Sequence, residues 1–128
     1  MMTAVVLFAH GSPVEAANQG ISELAGEVAR RLGAGLVLPA FLDCTEPSLA
    51  TAVEQAVGRG AGRIVVMPYF LTMGLHLRRD LPQLVAEQRD RFPAVEILVS
   101  EPLEGHAGMV DVVAARVRDA LRSSKTIL

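Results

Sequence analysis

Residues 4–32 read AVVLFAHGSPVEAANQGISELAGEVARRL, and two periodicities meet inside this stretch. Every residue from Ala4 to Ala9 is apolar, as in a strand buried on both faces. From Val14 to Leu32 the apolar positions Ile21, Leu24, Ala25, Val28, Ala29 and Leu32 recur every three or four residues. That is the period of an amphipathic helix, and Gly33 and Gly35 stop it. The chain therefore opens as strand, loop, helix, and the loop carries His10, Gly11, Ser12 and Pro13.

The alternation continues. Leu36–Leu42 is a second apolar run, and its Pro39 suits an edge strand or a bulge. Thr45 or Ser48 can cap the helix that follows, with Pro47 allowed in a first turn and "GRGAG" (58–62) ending it. Arg63–Phe70 reads as a third strand and His76–Arg91 as a helix with Leu81, Leu84, Val85 and Gln88 down one side. Val95–Val99 is a fourth strand. A last helix, Met109–Arg122, carries Val112, Val113, Val117 and Leu121. Strands separated by helices imply crossover connections, so the expected fold is α/β, a four-stranded, mainly parallel sheet with helices on both faces. Residues 1–122 form one domain in this reading, and 123–128 a flexible tail.

Composition narrows the function. A chain of 128 residues with 51% hydrophobic and 20% charged residues suits one compact domain. A net charge of -2, one tyrosine and no tryptophan offer nucleic acid neither a basic patch nor a stacking platform. No apolar stretch reaches the length of a membrane span. The lone Cys44 has no partner for an internal disulfide. Met1-Met2-Thr3 lacks the basic start of a signal peptide, so a cytoplasmic address is expected.

In parallel sheets ligands gather beyond the carboxyl ends of the strands. His10 follows the first expected strand, Glu46 the second, His76 the third and His106 the fourth. All three histidines of the chain thus fall on one rim. Any one of them alone reads as a loop residue bonded to backbone, and His106 in "LEGHAG" reads best as a helix start. Their coincidence raises a functional reading. Two neutral imidazoles and a carboxylate suit cobalt, iron, nickel or zinc, with coordination positions left open for exchange.

Neighbouring motifs divide the same way. Arg78 and Arg79 near a helix start oppose the helix dipole. Either one pairs with Asp80 or Glu46, or at least one meets a polyanionic ligand through its guanidinium fork. Leu71, Met73 and Leu75 around Gly74 can floor an apolar pocket for a flat ring or belong to ordinary core. "GRGAGR" lacks the lysine and hydroxyl of a phosphate loop. Ser12 beside His10 names a hydrolase as a rival, although no nucleophile elbow surrounds it. A receiver-like module would need an acidic cluster where Ala9-His10 stands.

"LFAHGS", "AFLDCTEPSL", "VVMPYFLTMGLHLRRDLP" and "EPLEGH" together resemble, in order and spacing, the small single-domain sirohydrochlorin chelatases. The similarity runs from about Val5 to Val117. These class II chelatases insert cobalt, iron or, in some archaeal members, nickel into sirohydrochlorin, in cobalamin or siroheme synthesis. The resemblance implies a flavodoxin-like three-layer sandwich equal to one half of the bilobal chelatase fold, paired as a homodimer. It also implies that His10 and His76 are the metal-binding and catalytic histidines and Glu46 their acidic partner. Relatives often carry arginine and acidic residues directly after HGS. Here Pro13-Val14-Glu15 follows, which shifts anion binding onto Arg78 and Arg79.

On this reading Ser12, Met73, Gly74, Leu75, Arg78, Arg79 and His106 meet the tetrapyrrole, and the divalent metal (Co²⁺, Fe²⁺ or Ni²⁺) is substrate with no organic cofactor. Imidazole binds metal only when neutral, and model histidines titrate near ~6.5. Metal uptake measured across a pH series is therefore expected to weaken below about pH 6. A non-catalytic metal or tetrapyrrole carrier on the same rim is the alternative.

Overall fold

The computed structural model describes residues 1–33 and 35–123. Four strands alternate with four helices: β1 (Met2–Ala9), α1 (Glu15–Leu32), β2 (Leu36–Phe41), α2 (Leu49–Gly58), β3 (Ala61–Pro68), α3 (Leu75–Arg91), β4 (Glu96–Val99) and α4 (Gly108–Ser123). The sheet order is β2-β1-β3-β4 and every pairing is parallel.

β1 lies in the middle, and its sequence says why. Ala4, Val6 and Phe8 face the main core and are essentially inaccessible, while Leu7 and Ala9 are buried on the other side. The core beneath β1 is completed by Ile64 and Val66 of β3, Ala52 and Val53 of α2, and Leu81 and Val85 of α3. Each fully buried Val or Leu there is worth about 1.5–3 kcal/mol of transfer free energy. Pro39 falls in β2, which is an edge strand, where a missing N–H can be tolerated.

Caps set the element ends. α1 stops at Gly33, whose φ of 63° allows its N–H to reach the carbonyls of Ala29 and Arg30. Ser48, rather than Thr45, caps α2, its hydroxyl accepting the N–H of Thr51 at 3.2 Å.

Two expectations shift. β3 begins and ends two residues earlier than the apolar run suggested. Gly60, at φ 99°, makes the turn alone, so Ala61 already pairs with Met2. At the far end Phe70 turns away to set its ring edge-on to Phe8, centroids 6.0 Å apart. The second shift concerns the layers. α2 and α3 cover one face of the sheet and α1 covers the other only over β1 and β2. α4 buries no residue and packs on no other element among the described residues. The three-layer sandwich is therefore incomplete on one side of a single chain. Ser123 closes α4, and the rest of the expected tail lies outside the described residues.

Candidate functional site

All four strands end on the same edge of the sheet, and the loops that leave it carry the candidate residues. His10 follows β1 directly, Glu46 lies in the loop after β2, His76 sits in the first turn of α3, and His106 precedes α4. α1 and α3 depart to opposite faces, so the ends of β1 and β3 flank the topological switch point, the usual ligand crevice of such sheets. His10 and His76 are on those two connections. The N–H of Tyr69 donates to the Phe8 carbonyl at 2.7 Å, tying the two strand ends together.

His10 is exposed, and its Nδ1 lies 3.1 Å from the carbonyl oxygen of Gly11. A carbonyl can only accept, so Nδ1 carries the proton and Nε2 is left with a free lone pair. That is the tautomer a metal ligand or a general base requires. Gly11 adopts φ +90°, and a side chain there would begin 1.9 Å from the Asp43 carbonyl oxygen. Only glycine lets the chain past, and the close approach is fixed by the Asp43 N–H donating to the His10 carbonyl at 2.9 Å.

The rest of the loop is held by Asn18, which is 5% exposed in the first turn of α1. Its side-chain oxygen accepts the Ser12 N–H at 2.9 Å and its amide donates to the Ser12 carbonyl at 2.8 Å. The Ser12 hydroxyl accepts the N–H of Val14 at 3.0 Å, which starts the helix. Ser12 is thereby occupied in shaping the loop. Replacing Asn18 with alanine leaves both Ser12 backbone groups without their partner, and a loss of about 2–3 kcal/mol is expected in chemical denaturation. Asn18 escaped the sequence reading, although its place three residues before Ile21 puts a polar group on the apolar stripe of α1.

His76 has a different environment. Nη2 of Arg79 donates to its Nδ1 at 3.0 Å, and Nε of Arg79 reaches Asp80 at 3.4 Å. In this arrangement His76 holds its proton on Nε2. Arg78 is also engaged: its Nε donates to the Met73 carbonyl at 2.9 Å and its Nη2 to Glu104 at 2.7 Å. The same Glu104 oxygen accepts the Met73 N–H at 3.1 Å. Glu104 thus stitches the segment after β4 to the loop before α3, a partnership that nothing in the local sequence marks.

Of the proposed apolar floor, Met73 packs against the core, Gly74 is the residue before the first turn of α3, and Leu75 is 86% exposed. Leu71 and Val14 are exposed on the same edge. Glu46 is exposed and joined to Pro47 by a cis peptide bond. His106 uses Nδ1 to accept the Gly108 N–H at 2.8 Å, so it caps the start of α4. No three His, Cys, Asp or Glu side chains converge into a metal-holding group among the described residues.

Residues 4–120 match the family model described as CbiX. The chain belongs to the CbiX family. Its relatives include the sirohydrochlorin cobaltochelatase of Methanocaldococcus jannaschii, 37% identical, with 90% of this chain and 97% of that protein covered. The chloroplastic sirohydrochlorin ferrochelatase of Arabidopsis thaliana is 32% identical over 91% of this chain and 52% of its own length. Among solved structures, SirB from Bacillus subtilis with Fe³⁺ superposes with a TM-score of 0.84 at 28% identity, covering 93% of this chain and 47% of that one. The chain therefore spans about half the length of the ferrochelatase relatives and nearly all of the archaeal one. Its α/β fold is that of one half of the longer proteins.

Proposed function

We propose that this CbiX-family chain inserts a divalent metal, Co²⁺ or Fe²⁺, into sirohydrochlorin. The observation that carries the reading is the His10 imidazole, locked by Gly11 into the tautomer whose Nε2 is open, at the switch point of a chelatase-family fold. The reaction exchanges M²⁺ for two pyrrole protons, so it needs a donor that binds metal and then accepts a proton. His10 does both in turn. His76 is the second metal-binding histidine, and Glu46 takes protons out to solvent. Two protein ligands leave the remaining positions to water and then to the ring nitrogens, which is how metal can be handed over.

The apolar ring rests on Leu75 beside Met73 and Gly74, with Ser12 and His106 at its margins and its carboxylates towards Arg78 and Arg79. Arg79 has a second part. Metal can bind His76 only when the Arg79 hydrogen bond to Nδ1 is released, because the bond ties up one nitrogen and leaves the proton on the other. A substrate carboxylate that draws Arg79 away frees His76 for metal. Arg79→Ala is accordingly expected to lower the KM for metal a few-fold and raise that for tetrapyrrole, read from steady-state insertion rates. An equal rise in both would remove Arg79 from this role.

The chain acts as one domain over residues 1–122, and two copies supply the two halves that a longer relative carries in one chain. The half-length match to the ferrochelatases supports that pairing. A cytoplasmic address belongs to the same reading, and no helix among the described residues is long and apolar enough to cross a membrane. Ni²⁺ fits the donor set as well as Co²⁺ and Fe²⁺ do. Anaerobic insertion of the three metals, followed by absorbance, ranks them. A rate led by Co²⁺ assigns the chain to cobalamin synthesis and one led by Fe²⁺ to siroheme synthesis. No acceleration with any of the three would defeat the assignment.

A further inference from the structure

Arg78 is held by one edge of its guanidinium and open on the other. Its Nε donates to the Met73 carbonyl at 2.9 Å and its Nη2 to Oε1 of Glu104 at 2.7 Å. Those two nitrogens make up the side-on edge of the fork, and the protein itself takes both. Nη1 makes no hydrogen bond or ion pair among the described residues. With the second N–H of Nη2 it forms the end-on edge, which matches the two oxygens of a carboxylate. The Arg78 side chain is 59% exposed, so a ligand can reach that edge, whereas the Glu104 side chain is 32% exposed.

The same two side chains hold the loop before α3. Among the described residues, Leu71, Thr72 and Met73 take part in no backbone-to-backbone hydrogen bond. Met73 instead gives its N–H to Glu104 Oε1 at 3.1 Å, and its carbonyl accepts from Arg78. Packing holds only part of this loop. Met73 touches the core, but with Arg78 and Glu104 it also borders an open cavity of about 470 Å³, walled by Leu81, Val85 and Val99.

We propose that Glu104 is a positioning residue for the tetrapyrrole. By closing the side-on edge of Arg78 it aims the end-on edge at a substrate carboxylate, and by holding Met73 it fixes the floor beneath the ring. The role rests on the pigment-binding part of the reading above and divides the labour of the two arginines. Arg79 leaves His76 when pigment arrives, while Arg78 stays clasped. A carboxylate approaching the side-on edge would have to displace Glu104, whose own charge repels it.

Two readouts on one set of variants test this. One is the sirohydrochlorin dissociation constant, from absorbance titration without metal, and the other is the KM for pigment and for Co²⁺ in anaerobic insertion. Glu104→Ala should weaken pigment binding and raise the pigment KM about 10-fold, with the KM for Co²⁺ changed by less than about twofold. Glu104→Gln should recover most of that loss, because its amide oxygen can accept the same two N–H groups. Arg78→Lys should match Glu104→Ala, since one ammonium cannot serve both edges. A Glu104→Ala chain that melts lower but binds pigment as wild type does would make Glu104 a structural tie and overturn the proposal. A Glu104→Gln chain as weak as Glu104→Ala would overturn it too, because the bonds would then not be what matters. Wild type that binds pigment without accelerating insertion would remove the insertion reading and leave the titrations to decide on Glu104. Wild type that binds no pigment overturns both.

Discussion

His10→Ala should lower the rate of metal insertion at least ~100-fold, towards the protein-free rate, while the unfolding transition stays where it was. The catalytic half of this expectation follows from the tautomer. With Nδ1 bonded to the Gly11 carbonyl, Nε2 is the atom left open, and in the proposed reaction it meets metal and later takes a pyrrole proton. General-base catalysis alone contributes ~10²–10⁴-fold, and loss of a metal ligand adds to it. The stability half follows from exposure. His10 lies in solvent, its ring bonds only to its neighbour's carbonyl, and an exposed side chain of that kind is worth about 0.5 kcal/mol or less. Insertion kinetics and a thermal melt on the same preparation check both. Turnover within a factor of three of wild type would remove His10 from the chemistry.

Gly11→Ala should act through the fold instead. The residue has φ +90°, which costs any L side chain ~1–2 kcal/mol, and the new Cβ would start 1.9 Å from the Asp43 carbonyl oxygen. Backbone cannot yield there without breaking the Asp43 to His10 hydrogen bond, the last one joining the β1 and β2 ends. A loss of about 3–5 kcal/mol is expected, or ~10–20 °C in Tm for a domain of this size. Gly60→Ala is the matched control. Its φ is +99° but nothing lies within 4 Å of the added carbon, so only the backbone strain of ~1–2 kcal/mol should appear. If the two variants melt together, the crowding at Gly11 is relieved more easily than the geometry implies.

The sequence was most informative where burial imposes a period. Ala4–Ala9 and the Ile21–Leu32 stripe announce strand and helix because both must turn particular side chains inward. Gln88 is a useful case: it falls on the apolar side of α3 and is indeed buried, its oxygen accepting from Arg91 at 2.9 Å. What periodicity could not supply is pairing across the chain. Asp43 crowding Gly11, and Glu104 holding both Arg78 and Met73, join residues about thirty positions apart through topology that no local pattern encodes. The α4 stripe shows the reverse error. Its valines promise a packed helix, but a pattern says only that a face is apolar, and α4 packs on no other element among the described residues.

For the site, the rim was legible because strand ends in a parallel sheet must coincide, so four loops could be assigned to one edge before any geometry was known. The tautomers of His10 and His76 were not, since one depends on the Gly11 carbonyl and the other on the Arg79 side chain, and only the folded geometry brings each within reach.

The most direct measurement is anaerobic Co²⁺ insertion into sirohydrochlorin, followed by absorbance with and without the protein at equal pigment and metal. Multiple turnovers at a rate well above the protein-free reaction are expected. Stoichiometric binding of pigment with no acceleration would contradict the account and make the rim a carrier site.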